Sequence, residues 1–131
     1  LNLSYRTSSI QNNQIVTKAT FKIKYGDQNN IKEKILKIKT KRLSSQPIKN
    51  RTSGSTFKNP PNFYAAKLIE ESGCKGMNYG NAYVSDKHAN FLINNGKSSA
   101  SDLENLGKLI IEKVYNKFDI KLDWEVKIIG E

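Results

Sequence analysis

An α+β domain of two layers, a small mixed sheet with helices packed on one face, is the fold that the sequence predicts. Three observations carry it. Apolar and polar residues alternate over 16–25 and 120–128, while apolar residues recur at helical spacing over 31–43 and 103–118. The two kinds of segment also interleave without the strand–helix–strand repeat of a parallel α/β fold. With 131 residues, 37% of them hydrophobic and 26% charged, the chain has enough apolar material for one core and too little for two.

The elements follow in order. From Val16 to Tyr25, the residues Ala19, Phe21, Ile23 and Tyr25 alternate with Thr20, Lys22 and Lys24, which predicts a half-buried strand ended by the turn Gly26-Asp27. Asn30 with Glu33 three positions on predicts a helix start, and Ile31, Ile35 and Ile38 mark one face up to Leu43; Pro47 closes the helix. Residues 46–62 hold Pro47, Gly54, Pro60 and Pro61 among small polar side chains, a loop longer than an ordinary connection and therefore a candidate functional one. Phe63 to Ser72 reads as a short helix capped by Gly73. Short strands are predicted at Ala82 to Ser85 and Asn90 to Asn94, followed by an Asn95-Gly96 turn. A capping box at Ser101 to Glu104 opens an amphipathic helix through Leu103, Leu106, Ile110, Val114 and Phe118. Last, Ile120, Leu122, Trp124, Val126 and Ile128 form the buried face of a final strand that presents Glu125 on the other side.

Composition removes several classes of function. No apolar run approaches the roughly 20 residues that a membrane helix needs. One cysteine, Cys74, excludes an internal disulfide, and with a single histidine no Cys/His metal site can be assembled, so a reducing cytoplasm is the expected setting. The first residue is Leu1 and the only methionine is Met77, from which the chain is expected to be part of a longer protein. A net charge of +10 raises the alternative of a basic nucleic-acid-binding module. The lysines are scattered, however, and phosphate binding needs a concentrated basic surface.

Generic catalytic motifs are absent: the Gly54 to Lys58 run lacks the spacing of a phosphate-binding P-loop and the second glycine of a hydrolase nucleophile elbow. The same run does resemble a known family. Gly54-Ser55-Thr56-Phe57-Lys58-Asn59-Pro60, then Ala66-Lys67-Leu68-Ile69-Glu70 and Gly73-Cys74-Lys75-Gly76, resemble the hallmark of the MurB reductases. The likeness continues through Val84 to Phe91 and Trp124 to Gly130, and upstream through Tyr5-Arg6-Thr7-Ser8 and Arg42 with Gln46-Pro47. It covers nearly the whole chain in one order.

The resemblance implies a UDP-N-acetylenolpyruvoylglucosamine reductase of peptidoglycan precursor synthesis, using FAD and NADPH and acting on a UDP-sugar. It further implies that 1–29 are the end of the FAD-binding domain and 30–131 the substrate-binding domain. Both cofactors would then require the full-length protein, and the chain alone would be inactive. By the same resemblance Ser55 donates a proton to carbon, while Arg6 and Glu125 polarise the enolpyruvyl carboxylate. Asn59, Arg42, His88 and Tyr5 are the substrate-binding candidates.

These residue types suit the roles. An alcohol is a weak acid, so Ser55 can donate only if it is placed at the carbon as negative charge builds there. A guanidinium grips a carboxylate through two parallel hydrogen bonds and stays charged in any site, which suits Arg6. Glu125, close to a second carboxylate, would favour its protonated form and could share that proton. Taken singly, each has a bland reading: turn chemistry for Ser55, a strand edge for Tyr5-Arg6, an exposed strand residue for Glu125, a loop-capping amide for Asn59, a dipole-matching cation for Arg42 and a hydrogen-bonded core residue for His88. One departure stands out. Asn81 takes the place of a second glycine that the family normally has in Gly80-Asn81-Ala82, and asparagine is the non-glycine residue that best tolerates left-handed backbone.

Overall fold

The computed structural model describes residues 1–11 and 13–130. Among these, the chain builds a hairpin of β1 (Leu3–Ser4) and β2 (Thr7–Ser8), the helix α1 (Gln28–Ser45), and then a packed body. The body comprises α2 (Ala65–Glu71), β3 (Asn78–Tyr79), β4 (Ala82–Val84), β5 (Leu92–Asn94) and α3 (Ala100–Phe118). The class is α+β, as expected. All sheet pairings are antiparallel rather than mixed: β1 with β2 in one sheet and β3-β4-β5 in the other. Short turns can join only antiparallel neighbours, since a parallel pair needs a long crossover.

Helix α3 lies on the three-stranded sheet and α2 packs beside it. Leu106, Ile110 and Val114, spaced by four, are completely buried against Ala82, Val84, Leu92, Ala65 and Ile69. Burial of each large aliphatic side chain contributes about 1.5–3 kcal/mol, which makes this helix–sheet contact the main source of stability. The helix begins one short step before the expected position. Its capping box is Ser99 with Asp102, each side chain bonding the other's backbone N–H, in place of Ser101 with Glu104.

The glycine inside α3 has a steric cause. A Cβ on Gly107 would come within 2.0 Å of the Trp124 ring, so the indole lies directly on the helix backbone. On its other side the ring meets Phe57, centroids 4.9 Å apart.

Two expected strands are absent as such. Among the described residues, 16–25 have no strand partner, and Phe21, Ile23 and Tyr25 are each at least 80% exposed. Alternation marks a strand that could be half-buried; it does not supply the neighbour that would bury it. At the other end, 120–128 makes one isolated bridge, Trp124 with Phe57, bends at Glu125 and Val126, and leaves Ile128 exposed. Helix α1 forms as expected, capped by Asp27, whose carboxylate accepts the Asn30 N–H at 2.8 Å, and not by Asn30 itself. None of its residues is buried. Lys87 donates to the Leu43 carbonyl and ties its C-terminal end to the body. Among the described residues, burial begins at Pro47.

Asn81 occupies ordinary backbone. The left-handed residue of that turn is Gly80, at φ 55°, and the non-glycine residues with positive φ are Arg6, Asn62 and Asp119. The local geometry that the missing glycine put in doubt is therefore kept.

Candidate active site

The stretch 46–62, expected to be an irregular loop, contains the central strand-like segment of the site. Gly54, at φ 92°, turns the chain into the body. From there Ser55 bridges Phe91 and Phe57 bridges Trp124, so 55–58 runs extended between two other segments. On one side the Thr56 N–H donates to the Asn90 carbonyl at 2.8 Å. On the other, the Glu125 N–H donates to the Thr56 carbonyl at 2.8 Å and the Lys58 N–H to the Asp123 carbonyl at 2.9 Å. Serine and glutamate, widely separated in sequence, are thus carried by adjacent backbones.

Glu125 is not the freely exposed residue that alternation suggests. Its side chain is only 23% exposed, and Oε1 lies 3.2 Å from Arg6 Nε. Oε2 is buried with no hydrogen-bond partner. Arg6 stands at the tip of the β1–β2 hairpin with φ 57°, and its guanidinium lies over the Tyr5 ring at 5.6 Å. A left-handed arginine costs about 1–3 kcal/mol. A half-exposed ion pair returns about 0–1 kcal/mol. Arg6 takes the left-handed position of the two-residue turn that joins β1 to β2, and from there its guanidinium reaches Glu125.

Tyr5 and Asn59 join this group. The Asn59 N–H donates to the Tyr5 hydroxyl at 3.2 Å, and the Asn59 side-chain oxygen accepts the Ala65 N–H at 3.0 Å. The second bond satisfies an orphan donor of α2, whose own N-cap, Tyr64, makes no side-chain bond. Asn59 is accordingly a remote cap that also borders the site. Tyr5, Arg6 and Asn59 line a recess of about 170 Å³ together with Lys58, Lys121 and Asp123. Lys58 and Lys121 make its rim cationic, suited to a carboxylate or phosphate.

Arg42 and His88 lie elsewhere. Arg42 bonds Gln46 at 3.4 Å and lines a separate recess with Ile35, Ile38, Lys39, Leu43 and Ile48. His88 Nδ1 accepts the Asn90 N–H at 3.3 Å, and its ring meets Phe91 edge-on at 4.7 Å. Burial holds the imidazole below its ordinary pKa. Burial likewise raises the Cys74 thiol, which keeps it unreactive.

Sequence reasoning did not single out Lys58, Lys121 or Asn90. Lys58 lies between Ser55 and Asn59 and could have been found from that position alone. Asn90 lies in the Val84–Phe91 stretch of the likeness, whereas Lys121 carries no comparable signal, since it reaches the site through tertiary pairing.

Residues 46–129 match the family described as UDP-N-acetylenolpyruvoylglucosamine reductase, C-terminal domain. The Clostridium tetani protein named UDP-N-acetylenolpyruvoylglucosamine reductase is 48% identical over 132 residues, covering 100% of this chain and 43% of that protein. The Rickettsia typhi protein of the same name is 44% identical, covering 100% of this chain and 44% of its own length. Among solved structures, UDP-N-acetylenolpyruvylglucosamine reductase (MurB) from Thermus caldophilus aligns with a TM-score of 0.65 at 34% identity, over 79% of this chain and 37% of that one. The chain thus spans under half the length of the curated relatives it matches.

Proposed function

Since the chain belongs to the UDP-N-acetylenolpyruvoylglucosamine reductase family, whose C-terminal domain its residues 46–129 match, we propose that it is the substrate-binding part of such a reductase. The whole protein would convert the enolpyruvyl ether of a UDP-sugar to the lactyl ether in cytoplasmic peptidoglycan precursor synthesis. The observation that carries the reading is the pairing of Arg6 with Glu125 beside the Ser55 segment, with one Glu125 oxygen buried and unpartnered.

In this reading FAD, reduced by NADPH, supplies the hydride. Both cofactors would be held mainly outside this chain, which spans under half the length of its curated relatives. Residues 1–29, the expected end of the flavin-binding domain, and the exposed face of α1 would pack against that part.

The chain's own residues do the rest. Arg6 binds the enolpyruvyl carboxylate and stabilises the charge that spreads onto it once hydride has been added. Glu125, carried beside the Ser55 segment and paired with Arg6, polarises the same carboxylate together with that guanidinium. Ser55 delivers its hydroxyl proton to the neighbouring carbon and recovers one from water, which completes addition of hydride and proton across the double bond. Tyr5 and Asn59 wall the recess, and Lys58 and Lys121 attract the substrate's negative charge. Arg42 and His88 are the outer candidates for substrate contact.

Ser55→Ala in the full-length enzyme tests this reading. Flavin reduction by NADPH should stay nearly unchanged, while reoxidation by the enolpyruvyl substrate should slow by about a hundredfold or more. Equal loss in both half-reactions would make Ser55 structural and defeat the assignment.

A further inference from the structure

The Asn90 side chain holds a backbone in place of a strand. It is 4% exposed, and its amide makes two bonds to one residue: the oxygen accepts the Phe57 N–H at 2.9 Å and the nitrogen donates to the Phe57 carbonyl at 2.8 Å. Its own carbonyl accepts the Thr56 N–H. Three backbone groups of Thr56 and Phe57, next to Ser55, are therefore fixed by one residue far along the chain. An amide side chain offers the same donor and acceptor as a peptide, so this reproduces the reciprocal pair of a ladder where the chain has already turned off at His88.

The consequence for the site is positional. Thr56, gripped on one side by Asn90, accepts the Glu125 N–H on the other, and Phe57 carries the bridge to Trp124. The spacing between the backbones of Ser55 and Glu125 is therefore fixed through the residues that Asn90 clasps. His88 Nδ1 in turn accepts the Asn90 N–H and steadies the clasp from behind.

We propose that Asn90 is a positioning residue for the proton-delivery step, holding Ser55 and Glu125 in register through its clasp on Phe57. This rests on the function proposed above. The test is Asn90→Asp in the full-length flavoenzyme, because that change keeps shape and the acceptor for Phe57 N–H while it replaces the donor by a carboxylate oxygen that repels the Phe57 carbonyl. Stopped-flow reduction of the flavin by NADPH should stay within about twofold of wild type. Reoxidation by the enolpyruvyl UDP-sugar should fall by roughly a hundredfold, the scale of a misplaced reacting group, with kcat reduced far more than KM changes. The ratio of variant to wild-type reoxidation should rise as pH falls, since the introduced carboxyl, once protonated, donates again to the Phe57 carbonyl. If Asn90→Asp does not accumulate as folded holoenzyme, Asn90→Ser, smaller and uncharged, is measured in the same way. Wild-type reoxidation in the variant, or equal slowing of both half-reactions, would overturn the clasp proposal. A wild-type enzyme that accepts electrons from NADPH and never passes them to the enolpyruvyl sugar would overturn the underlying function instead.

Discussion

Glu125 combines an ion pair with a buried oxygen that has no partner, and these two features pull stability in opposite directions. Glu125→Gln removes the attraction to Arg6 and gives the buried position a chance to donate, so melts should shift by no more than the equivalent of about 1 kcal/mol. Substrate reduction should slow about a hundredfold if the carboxyl takes part in proton delivery. An early-melting variant, or one with normal stopped-flow reoxidation, would count against the role. His88 gives a pH signature. Burial lowers its pKa in the folded state, so between that value and the unfolded value near 6.5 the unfolded chain binds more protons. Its contribution to stability is present above about pH 6.5 and is lost as pH falls further. Denaturant midpoints measured from pH 7.5 to 5 should therefore decline, and His88→Gln should flatten part of that decline. Ser55, Arg6 and Glu125 were singled out at this scale because a motif carried them. Asn90 lies in the Val84–Phe91 stretch of the same likeness, but its clasp on Phe57 leaves no periodic trace that would mark it.

Elements were legible in proportion to how local their causes are. The α3 stripe through Leu106, Ile110 and Val114 predicted its buried face, and Gly73 predicted the end of α2. The segment 16–25 shows the opposite case: its alternation is real, yet the partner that would make it a strand is not among the described residues. Gly107 falls between the two. Its presence in a helix looks costly from sequence, by about 1 kcal/mol against alanine. Here the indole of Trp124 occupies the space a Cβ would need. Gly107→Ala should consequently destabilise the protein by about 1–3 kcal/mol in spite of better helix propensity, as overpacking does. Thermal melts would read it, and a stabilised variant would mean that the ring moves away freely.

At the scale of the whole molecule, burial among the described residues is confined to the part from Pro47 onward, while α1 and 13–27 expose apolar side chains such as Phe21, Ile23, Ile35 and Leu36. Such a surface is suited to covering by another protein surface. If the flavin is held mainly outside these 131 residues, the isolated chain should purify colourless and leave NADPH unoxidised. Absorbance near the flavin bands would check this, and a yellow protein with tightly held flavin would contradict it.

The protein has one tryptophan, and it stands where the last extended segment meets Phe57 and Gly107. Pairings between residues distant in the chain bear a larger loop-closure cost than local ones and tend to form later. The β4–β5 hairpin and α3 can assemble from neighbours, whereas Phe57 must wait for both Asn90 and the 123–126 stretch. Trp124 is thus a clock for the final act of folding. Its emission during refolding should trail the far-ultraviolet signal of the helices, and the lag would time the moment at which Glu125 arrives beside Ser55.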